Sequence, residues 1–202
     1  MTTYTSQPDE TDGIDNWIRE GNPTTNYGTT GTMLIGFISG NGIARGLIKF
    51  DLTKGTNPIN STKAVVSTDA TLTLYCDEYF TTKTLAAYEC LRNWVESEST
   101  WNIYSTGNNW TTVGAGSAGN DYNSTSVGSV SVSSTGAKDI TIPKALIQKW
   151  VDTQNYGLVL RNTSEADNYN RFVSSAGTTA SQRPKLTFEY ILGGQVIIWS
   201  SE

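Results

Sequence analysis

Residues 139–160, DITIPKALIQKWVDTQNYGLVL, decide the fold class more than any other stretch of the chain. The first four residues alternate polar and apolar side chains and predict the end of a β-strand. A short helix is predicted at about 143–152, and Asn155-Tyr156-Gly157 predicts a turn. Residues 158–160, Leu-Val-Leu, then predict a buried strand. One short helix between two strands indicates a β-sandwich that the helix caps at one end.

The helix prediction rests on a proline and on the spacing of apolar residues. Pro143 suits a first helical turn, where its missing N–H forms no helical hydrogen bond. Leu146, Ile147 and Trp150 share one helical face, which Val151 extends. We expect Trp150 to cover the end of the sandwich core. A platform for a bound ligand is the alternative interpretation.

The composition is typical of many short strands joined by polar turns. Of the 202 residues, 16% are charged and 19 are glycine, and Ser, Thr and Asn crowd the gaps between apolar runs. One all-β domain of this length is ordinary and buries a sizeable core. Apolar and polar residues alternate in residues 44–52 and 70–76, although Leu47 breaks the pattern on the outer face. We predict about nine to eleven strands and one short helix.

Charge and histidine content argue against several functional classes. The formal net charge is −5 and no basic run is present, so neither nucleic acid nor an anionic membrane is an expected partner. No run approaches the length of a membrane span. The chain has no histidine, which removes the commonest general base and the commonest zinc ligand. The sequence therefore predicts a protein that is not an enzyme.

Three regions are predicted along the chain: an N-terminal arm at 1–13, a β-sandwich domain at 14–190 and a C-terminal tail at 191–202. The arm is polar, lacks periodicity and has no secretory signal. We therefore expect cytosolic synthesis, followed by assembly onto the surface of a virion or other particle. Non-classical export to the exterior is the alternative.

Both ends are predicted to contact a protein partner. Tyr4 lies in the arm, and in the tail a Gly-Gly pair precedes four apolar residues, Val196, Ile197, Ile198 and Trp199. An exposed apolar run of this kind is prone to aggregate, which favours burial in an oligomer or partner interface. A last strand packed on the chain's own sandwich is the alternative.

Aromatic residues in polar loops are the candidate carbohydrate-binding residues. Residues 103–126 are rich in Gly, Ser, Thr and Asn, and loops longer than about 15 residues often carry function. Tyr104, Trp110 and Tyr122 lie in this stretch, and Tyr169 lies in a later loop. Their rings would either stack on sugars or hold the loops against the sandwich. Four other tryptophans are predicted to lie in the core or at its edge: Trp17, Trp94, Trp101 and Trp150.

Two further pairs of residues leave alternatives open. Glu96 and Glu98 would share one face of a strand and could act as the paired carboxylates of a glycosidase. We favour a solvated acidic turn in which Glu96 caps the backbone near Trp101. Cys76 and Cys90 either face each other across a hairpin or stay reduced and buried, as a cytosolic origin favours.

Eight short motifs in a fixed order resemble one known family. They are DNWIR at 15–19 with Gly21 and Pro23, TNYG at 25–28, GLIKFDL at 46–52, ATLTLY at 70–75, WVE at 94–96 with TWN at 100–102, NYGL at 155–158, FVSS at 172–175 and RPKL at 183–186. Together they resemble the DNRLRE domain family, the disaggregatase-related β-sandwiches that are also grouped with carbohydrate-binding modules. Family members often carry an acidic residue after the FVSS position, where this sequence has Ala176.

The resemblance implies a jelly-roll β-sandwich with a non-catalytic accessory role. Such domains occur in bacterial and archaeal surface proteins, in polysaccharide-active enzymes and in some phage structural proteins. Jelly rolls often hold loop ends together with calcium, bound by carboxylates and backbone carbonyls. No EF-hand spacing is present, so calcium ligands would come from distant loops, and the sequence does not select among five aspartates near strand ends: Asp15, Asp51, Asp121, Asp139 and Asp167.

Two functions fit these observations. The first is a structural protein of a homo-oligomer or larger particle, such as a capsid decoration or a tail or fibre subunit of a phage-like virion. The second is a stand-alone carbohydrate-binding module, or a surface adhesin that recognises a polysaccharide.

Overall fold

The computed structural model describes residues 1–60 and 63–192, which form fourteen β-strands and one α-helix, with a short 3-10 turn at Ala180–Gln182. The prediction of an all-β fold is confirmed, and the helix is found at Lys144–Asp152. The elements in chain order are β1 Thr2–Ser6, β2 Ile14–Arg19, β3 Thr32–Ile38, β4 Gly42–Lys49, β5 Ala64–Val66, β6 Ala70–Tyr79, β7 Lys83–Glu89, β8 Ile103–Ser105, β9 Asn108–Asn109, β10 Gly128–Val132, β11 Gly136–Ile142, α1 Lys144–Asp152, β12 Leu158–Asn162, β13 Tyr169–Val173 and β14 Lys185–Leu192.

Twelve of the strands form one curled antiparallel sheet. Its path runs β1-β14-β6-β13-β3-β4-β12-β7-β10, while β11, β2 and β5 pair with β6, β4 and β14. The end of β6 pairs with β13, β13 with β3, and β3 with the start of β4. This corner folds the sheet into two layers, β1-β14-β6-β11 and β2-β4-β12-β7-β10, which is the arrangement of a β-sandwich.

The main core lies between the two layers and is closed at one end by α1. Leu72 and Ile140 from one layer, and Leu158 and Leu85 from the other, are all fully or almost fully buried in this core. The predicted apolar face of α1 is confirmed, and Trp150 belongs to the same core with 6% of its surface exposed. Pro143 lies one residue before the helix, whose first free N–H, at Lys144, donates to Asp69 Oδ1 at 2.9 Å.

The N-terminal arm is part of the sandwich. Residues 2–6 form β1, which pairs with β14 along its whole length. The Tyr4 side chain is 0% exposed, packs on Phe188 with ring centroids 4.8 Å apart, and donates to Asp51 O at 3.2 Å. The predicted partner contact of Tyr4 is therefore corrected: the residue is part of the chain's own core. The four apolar tail residues at 196–199 lie outside the described residues.

Two edges of the first layer are covered by polar groups. On β1, Thr5 exchanges backbone hydrogen bonds with Thr56, and Asn57 Nδ2 donates to Thr3 O. On β5, the Gln148 side chain accepts from Val66 N at 2.8 Å and donates to Ala64 O at 3.1 Å, as a neighbouring strand would. Covered edges resist pairing with a second chain.

A second core lies on the outer face of the other layer. Leu47, Ile18 and Val159 point away from the main core and are 0% exposed because the segment 90–122 folds over them. That segment contributes Trp94, Trp101 and Trp110, among other residues. The four tryptophans predicted to be core or core-edge residues are all buried, at 1–6% exposure. The sheet β2-β4-β12-β7 is thus buried on both faces.

Within the described part of the chain, no helix has the length and apolar character needed to cross a membrane.

Candidate functional site

The aromatic residues of the long loop do not form an exposed site. Trp110 is 4% exposed and its Nε1 donates to Thr100 O at 2.9 Å. Tyr122 is 8% exposed and its hydroxyl accepts from Arg161 Nη1 at 2.7 Å. Their prediction as carbohydrate-binding residues is wrong, because both rings pin the loop to the sheet. The alternative interpretation, that these aromatics hold the loop, is correct for both.

A buried ion network fastens the same loop. Glu165 accepts from Arg45 Nε and Nη2, both at 2.7 Å, and from Arg161 Nη2 at 2.5 Å. Arg45 Nη1 also donates to Gly114 O at 2.6 Å, and its guanidinium lies over the Trp101 ring. One carboxylate therefore neutralises two guanidinium groups beneath the loop, which is a structural role.

Asp121 organises the interior of the loop. Its Oδ1 accepts from Thr111 N at 2.8 Å, and its Oδ2 accepts from Thr112 N at 3.1 Å and Ser117 N at 3.0 Å. Burial alone would raise the pKa of this carboxyl, but the three N–H donors outweigh it and the pKa is lowered. Arg92 adds an ion pair at 3.4 Å. Asp121 is therefore satisfied by protein groups and is no longer a calcium candidate.

Two exposed aromatic residues, Tyr79 and Phe80, lie where β6 ends. Tyr79 is 37% and Phe80 45% exposed, and the Phe80 ring lies 4.7 Å from that of the partly exposed Tyr169. These three residues form what we call the aromatic patch. Tyr104, the fourth predicted sugar-binding residue, is also partly exposed, but it packs on Trp110 at 5.5 Å at the margin of the second core.

The backbone around the aromatic patch is held by one side chain. Asn170 Oδ1 accepts from Phe80 N at 3.0 Å, and its Nδ2 donates to Thr81 O at 3.1 Å. Asn170 is 1% exposed, so it fixes the turn after β6 from below. On the β13 side, Asp167 and Asn168 adopt positive φ angles of 53° and 64°, which turn the chain into Tyr169. The backbone on both sides of the patch is therefore fixed by contacts within the chain.

Polar groups surround the aromatic patch. Tyr79 and Thr82 share a hydrogen bond between their hydroxyls at 2.9 Å, and Lys83 Nζ donates to Ala166 O. Arg171 pairs with Asp77 and Glu78 beside it. Tyr169 is one of the predicted carbohydrate-binding residues, whereas Tyr79 and Phe80 were not predicted. The available signal was a pair of adjacent aromatic residues where the alternation of β6 ends and a Thr-Thr turn begins.

Glu96 and Glu98, for which paired glycosidase carboxylates were the alternative interpretation, each hold a backbone group. Glu96 and Glu98 lie in a turn, where each accepts from a backbone N–H: Glu96 from Asp15 at 2.8 Å and Glu98 from Thr106 at 2.7 Å. The favoured acidic turn is correct, although Glu96 caps Asp15 and not the backbone near Trp101. No group of three or more Asp, Glu, Cys or His side chains converges on a cation position in residues 1–60 and 63–192.

Burial raises the pKa of two carboxyl groups, those of Asp15 in β2 and of Glu96, which accepts from the Asp15 N–H. Burial raises the pKa of Asp15 to about 6, against the opposing effect of the Ser175 donors. Burial also raises the pKa of Glu96 to about 7, aided by the Asp15 and Glu10 charges and opposed by the Asp15 N–H and by Lys49. Both groups therefore take up a proton at a higher pH than an exposed carboxyl group does.

The comparison with protein families agrees with this architecture. A family model described as the disaggregatase related repeat domain matches residues 15–188, which spans the sandwich from β2 to β14. The chain belongs to this family. The match confirms the family that the eight motifs indicated. A search of curated proteins found no match.

In this disaggregatase related repeat domain, the DNWIR motif connects β2 to other segments through side-chain hydrogen bonds. Asp15 Oδ2 accepts from Ser175 N at 2.7 Å, which ties the motif to the FVSS segment. Asn16 Nδ2 donates to Ser99 O at 2.9 Å, and Arg19 Nη2 donates to the Tyr27 hydroxyl at 2.8 Å. The motif residues thus join β2 to three loops.

The two cysteines of the domain lie in different cores. Cys76 is in the main core and Cys90 in the second core, and both are free and buried. Burial raises the pKa of the Cys90 thiol to about 12. The alternative of two reduced thiols is correct, and both are poor nucleophiles.

A cleft of about 500 Å³ lies beside α1, at the end of the sandwich opposite the aromatic patch. Ile14, Lys49, Asp51, Trp150 and Asn155 are among its lining residues. Asn155 is engaged by Phe50 O and Gly157 N, and Trp150 belongs to the main core. The interpretation of Trp150 as a core residue is therefore the correct one.

Proposed function

We propose that the chain is a non-catalytic carbohydrate-binding module whose binding surface is the aromatic patch. The observation that carries this proposal is the exposed Phe80–Tyr169 ring pair, held at a fixed place on a β-sandwich of the disaggregatase related repeat family. The ligand we propose is a polysaccharide, and the site of action is extracellular.

The chemistry of the aromatic patch favours a sugar ring over a purely apolar ligand. Aromatic rings offer an electron-rich face to the C–H groups of a pyranose. Hydroxyl and charged groups at Thr82, Lys83 and Arg171 border the rings and would hydrogen-bond to sugar hydroxyls. The surface is open, so a long chain would pass across it.

A non-catalytic role is supported by the state of the acidic groups. Glu96 and Glu98 both hold backbone N–H groups, and Glu165 is occupied by two arginines. The sequence contains no histidine. A binding role needs no free catalytic acid or base, so it agrees with these engaged carboxylates better than a hydrolytic role does.

The test is a binding screen against neutral and acidic polysaccharides, followed by titration calorimetry on any ligand found. We expect the double variant Phe80→Ala/Tyr169→Ala to weaken binding by roughly tenfold or more, since about 1.4 kcal/mol is a factor of ten. Tyr104→Ala is the matched control, because it removes a partly exposed tyrosine at the margin of the second core, away from the aromatic patch. We expect this variant to bind the polysaccharide with unchanged affinity. If no polysaccharide binds, or if the double variant binds like the wild type, the proposal is wrong.

A second candidate function is favoured by an apolar surface at the opposite end. Met1 is 85%, Val65 48%, Ile191 45% and Leu192 59% exposed, and Val65 lies directly across from Ile191 in the β5–β14 pairing. We call this the end patch. It supports assembly into a homo-oligomer or a larger particle, such as a phage-like virion in which the chain is a decoration or fibre subunit.

Light scattering on a sizing column tests the assembly function. If the end patch joins copies of the chain, the wild type runs as an oligomer and Ile191→Asp runs as a monomer. Val113→Asp introduces the same charge at a residue that is 50% exposed in the long loop, and it should leave the oligomer intact. A wild type that stays monomeric at high concentration contradicts homo-oligomeric assembly.

A further inference from the structure

A second cleft lies beside β13, the strand that begins with Tyr169 of the aromatic patch. The cleft has a volume of about 290 Å³, and Thr32, Asp77 and Val173 are among its lining residues. The loop after β13 supplies the rest of the wall, at 176–179, together with Gln182. We call this concavity the β13 cleft.

One strand places the β13 cleft in line with the aromatic patch. Side chains two apart on a strand share a face, so Tyr169, Arg171 and Val173 follow one another along one face of β13. The alternate residues, Asn170 and Phe172, are both 1% exposed and lie on the buried face. At the usual rise per residue, the distance along the strand from the first to the last of the three is about 13 Å. A ligand longer than one sugar ring would therefore reach both ends.

Charged side chains occupy the stretch between the aromatic patch and the β13 cleft. Arg171 Nε donates to both carboxylate oxygens of Asp77, at 3.1 and 3.2 Å, and its Nη1 pairs with Glu78 at 2.7 Å. The three side chains are 24–39% exposed, so a ligand can contact them. Asp77 also lines the cleft and thus connects it to Arg171.

The β13 cleft offers polar groups that the chain itself does not use. The side chains of Thr178, Thr179 and Gln182 line the cleft and make no hydrogen bond within residues 1–60 and 63–192. Hydroxyl and amide groups can both donate and accept hydrogen bonds, as the hydroxyl groups of a sugar do. The wall of the cleft is therefore suited to a sugar ring.

The loop that carries these groups is held against β13. Arg183 Nε donates to Gly177 O at 2.9 Å, and Ser174 Oγ donates to Thr30 O at 2.6 Å. A Cβ at Gly177 would lie 2.3 Å from Val173 Cγ1, so glycine allows the loop to approach the strand. These contacts fix the position of the loop backbone beside the cleft.

We propose that the β13 cleft is a second sugar subsite, and that a neutral, extended polysaccharide chain lies along β13 from the aromatic patch to this cleft. The inference rests on the proposed function, because the aromatic patch supplies the first contact. Phe80 and Tyr169 would stack on one sugar ring. Arg171 and Asp77 would bind hydroxyl groups of the middle of the chain, and Gln182 would bind a ring in the cleft.

The charges along β13 favour a neutral ligand. The positive charges of Lys83 and Arg171 are offset by the negative charges of Asp77 and Glu78. The whole chain has a formal net charge of −5. An acidic polysaccharide therefore gains no electrostatic attraction at this surface.

Calorimetric titration of the full chain with β-1,4-linked oligosaccharides of glucose, xylose and mannose tests the second subsite. These chains are uncharged and extended, as the straight course of β13 requires. For a sugar that binds, we expect the hexasaccharide to bind roughly tenfold or more tightly than the disaccharide, because only the longer chain reaches both subsites. Oligogalacturonates of the same lengths are the acidic comparison, and we expect them to bind more weakly.

Variants of the β13 cleft should remove the gain with length alone. In Gln182→Ala and in the double variant Thr178→Ala/Thr179→Ala, we expect the hexasaccharide to lose roughly threefold or more in affinity and the disaccharide to bind as before. Gln154→Ala is the matched control, because it shortens an exposed glutamine that follows α1. Near-UV circular dichroism checks that each variant is folded.

The outcomes separate this inference from the function on which it rests. If the hexasaccharide binds no more tightly than the disaccharide, or if the folded cleft variants bind it like the wild type, the second subsite is wrong and the aromatic patch keeps its role. Tighter binding of oligogalacturonates overturns the neutral ligand. If none of the neutral series binds, this inference is overturned, whereas the proposed function fails only if the wider polysaccharide screen is negative as well.

Discussion

Replacement of Glu165 by alanine is expected to destabilise the chain by about 3–5 kcal/mol. The substitution leaves the guanidinium groups of Arg45 and Arg161 beneath the long loop without their shared anion. The Arg45 side chain is 7% exposed, so water does not replace the lost partner. Urea denaturation followed by tryptophan fluorescence measures the loss as a change in the free energy of unfolding.

An exposed ion pair supplies the control for Glu165. Glu78 pairs with Arg171 at 2.7 Å, with side-chain exposures of 39% and 37%. Glu78→Ala should cost less than about 1 kcal/mol, because solvent screens such a pair. Equal effects of the two substitutions would show that the buried network contributes no more than a surface contact.

Replacement of Asp121 by alanine is expected to cost roughly 3 kcal/mol, because three backbone N–H groups in part-buried hydrogen bonds lose their buried acceptor. Hydrogen exchange should rise at Thr111, Thr112 and Ser117. The folded-state pKa of Asp121 is lowered, so its stabilisation is present above the unfolded-state pKa of about 3.9 and is lost as the pH falls towards the folded-state value. The difference from the wild type should therefore shrink in acid.

The matched control for Asp121 is Asp139→Ala, which removes one exposed hydrogen bond to Thr73. We expect a loss within about 0.5 kcal/mol and unchanged exchange in the long loop. If Asp121→Ala unfolds no more easily than Asp139→Ala, the Asp121 hydrogen bonds contribute little to the stability of the loop.

Local sequence patterns predicted the helices and strands whose own residues carry a clear apolar spacing. The buried strand expected at 158–160 is part of β12, and the apolar face of α1 is buried as its spacing required. The strand β1 was missed because TTYTS has one large apolar residue, Tyr4. Its burial depends on pairing with β14, more than 180 residues away, and such pairing leaves no local pattern.

The long loop was misinterpreted for a similar reason. Its Gly, Ser, Thr and Asn content is typical of exposed loops, yet Trp110 and Tyr122 are buried against the sheet. The sequence held one clue: Leu47 lies on the face of β4 that alternation assigns to solvent. Its burial shows that a second layer of side chains had to cover that face.

The candidate sites were predictable only in part. Tyr169 was identified from its loop position, but its partner Phe80 comes from the end of another strand. Asp15 was one of five possible cation ligands, and only the three-dimensional contacts showed which oxygen lacks a donor. The surroundings of these residues depend on contacts between segments that are distant in the chain, and a single sequence carries little information about such contacts.

The double burial of the sheet β2-β4-β12-β7 limits how this fold is re-engineered. The segment 90–122 resembles a variable loop in composition, but exchanging it for another sequence would strip the cover from Leu47, Ile18 and Val159. A combinatorial library placed there would mostly yield unfolded chains. Randomised positions belong in the turn after β6, where Asn170 holds the backbone from below and the side chains face outward.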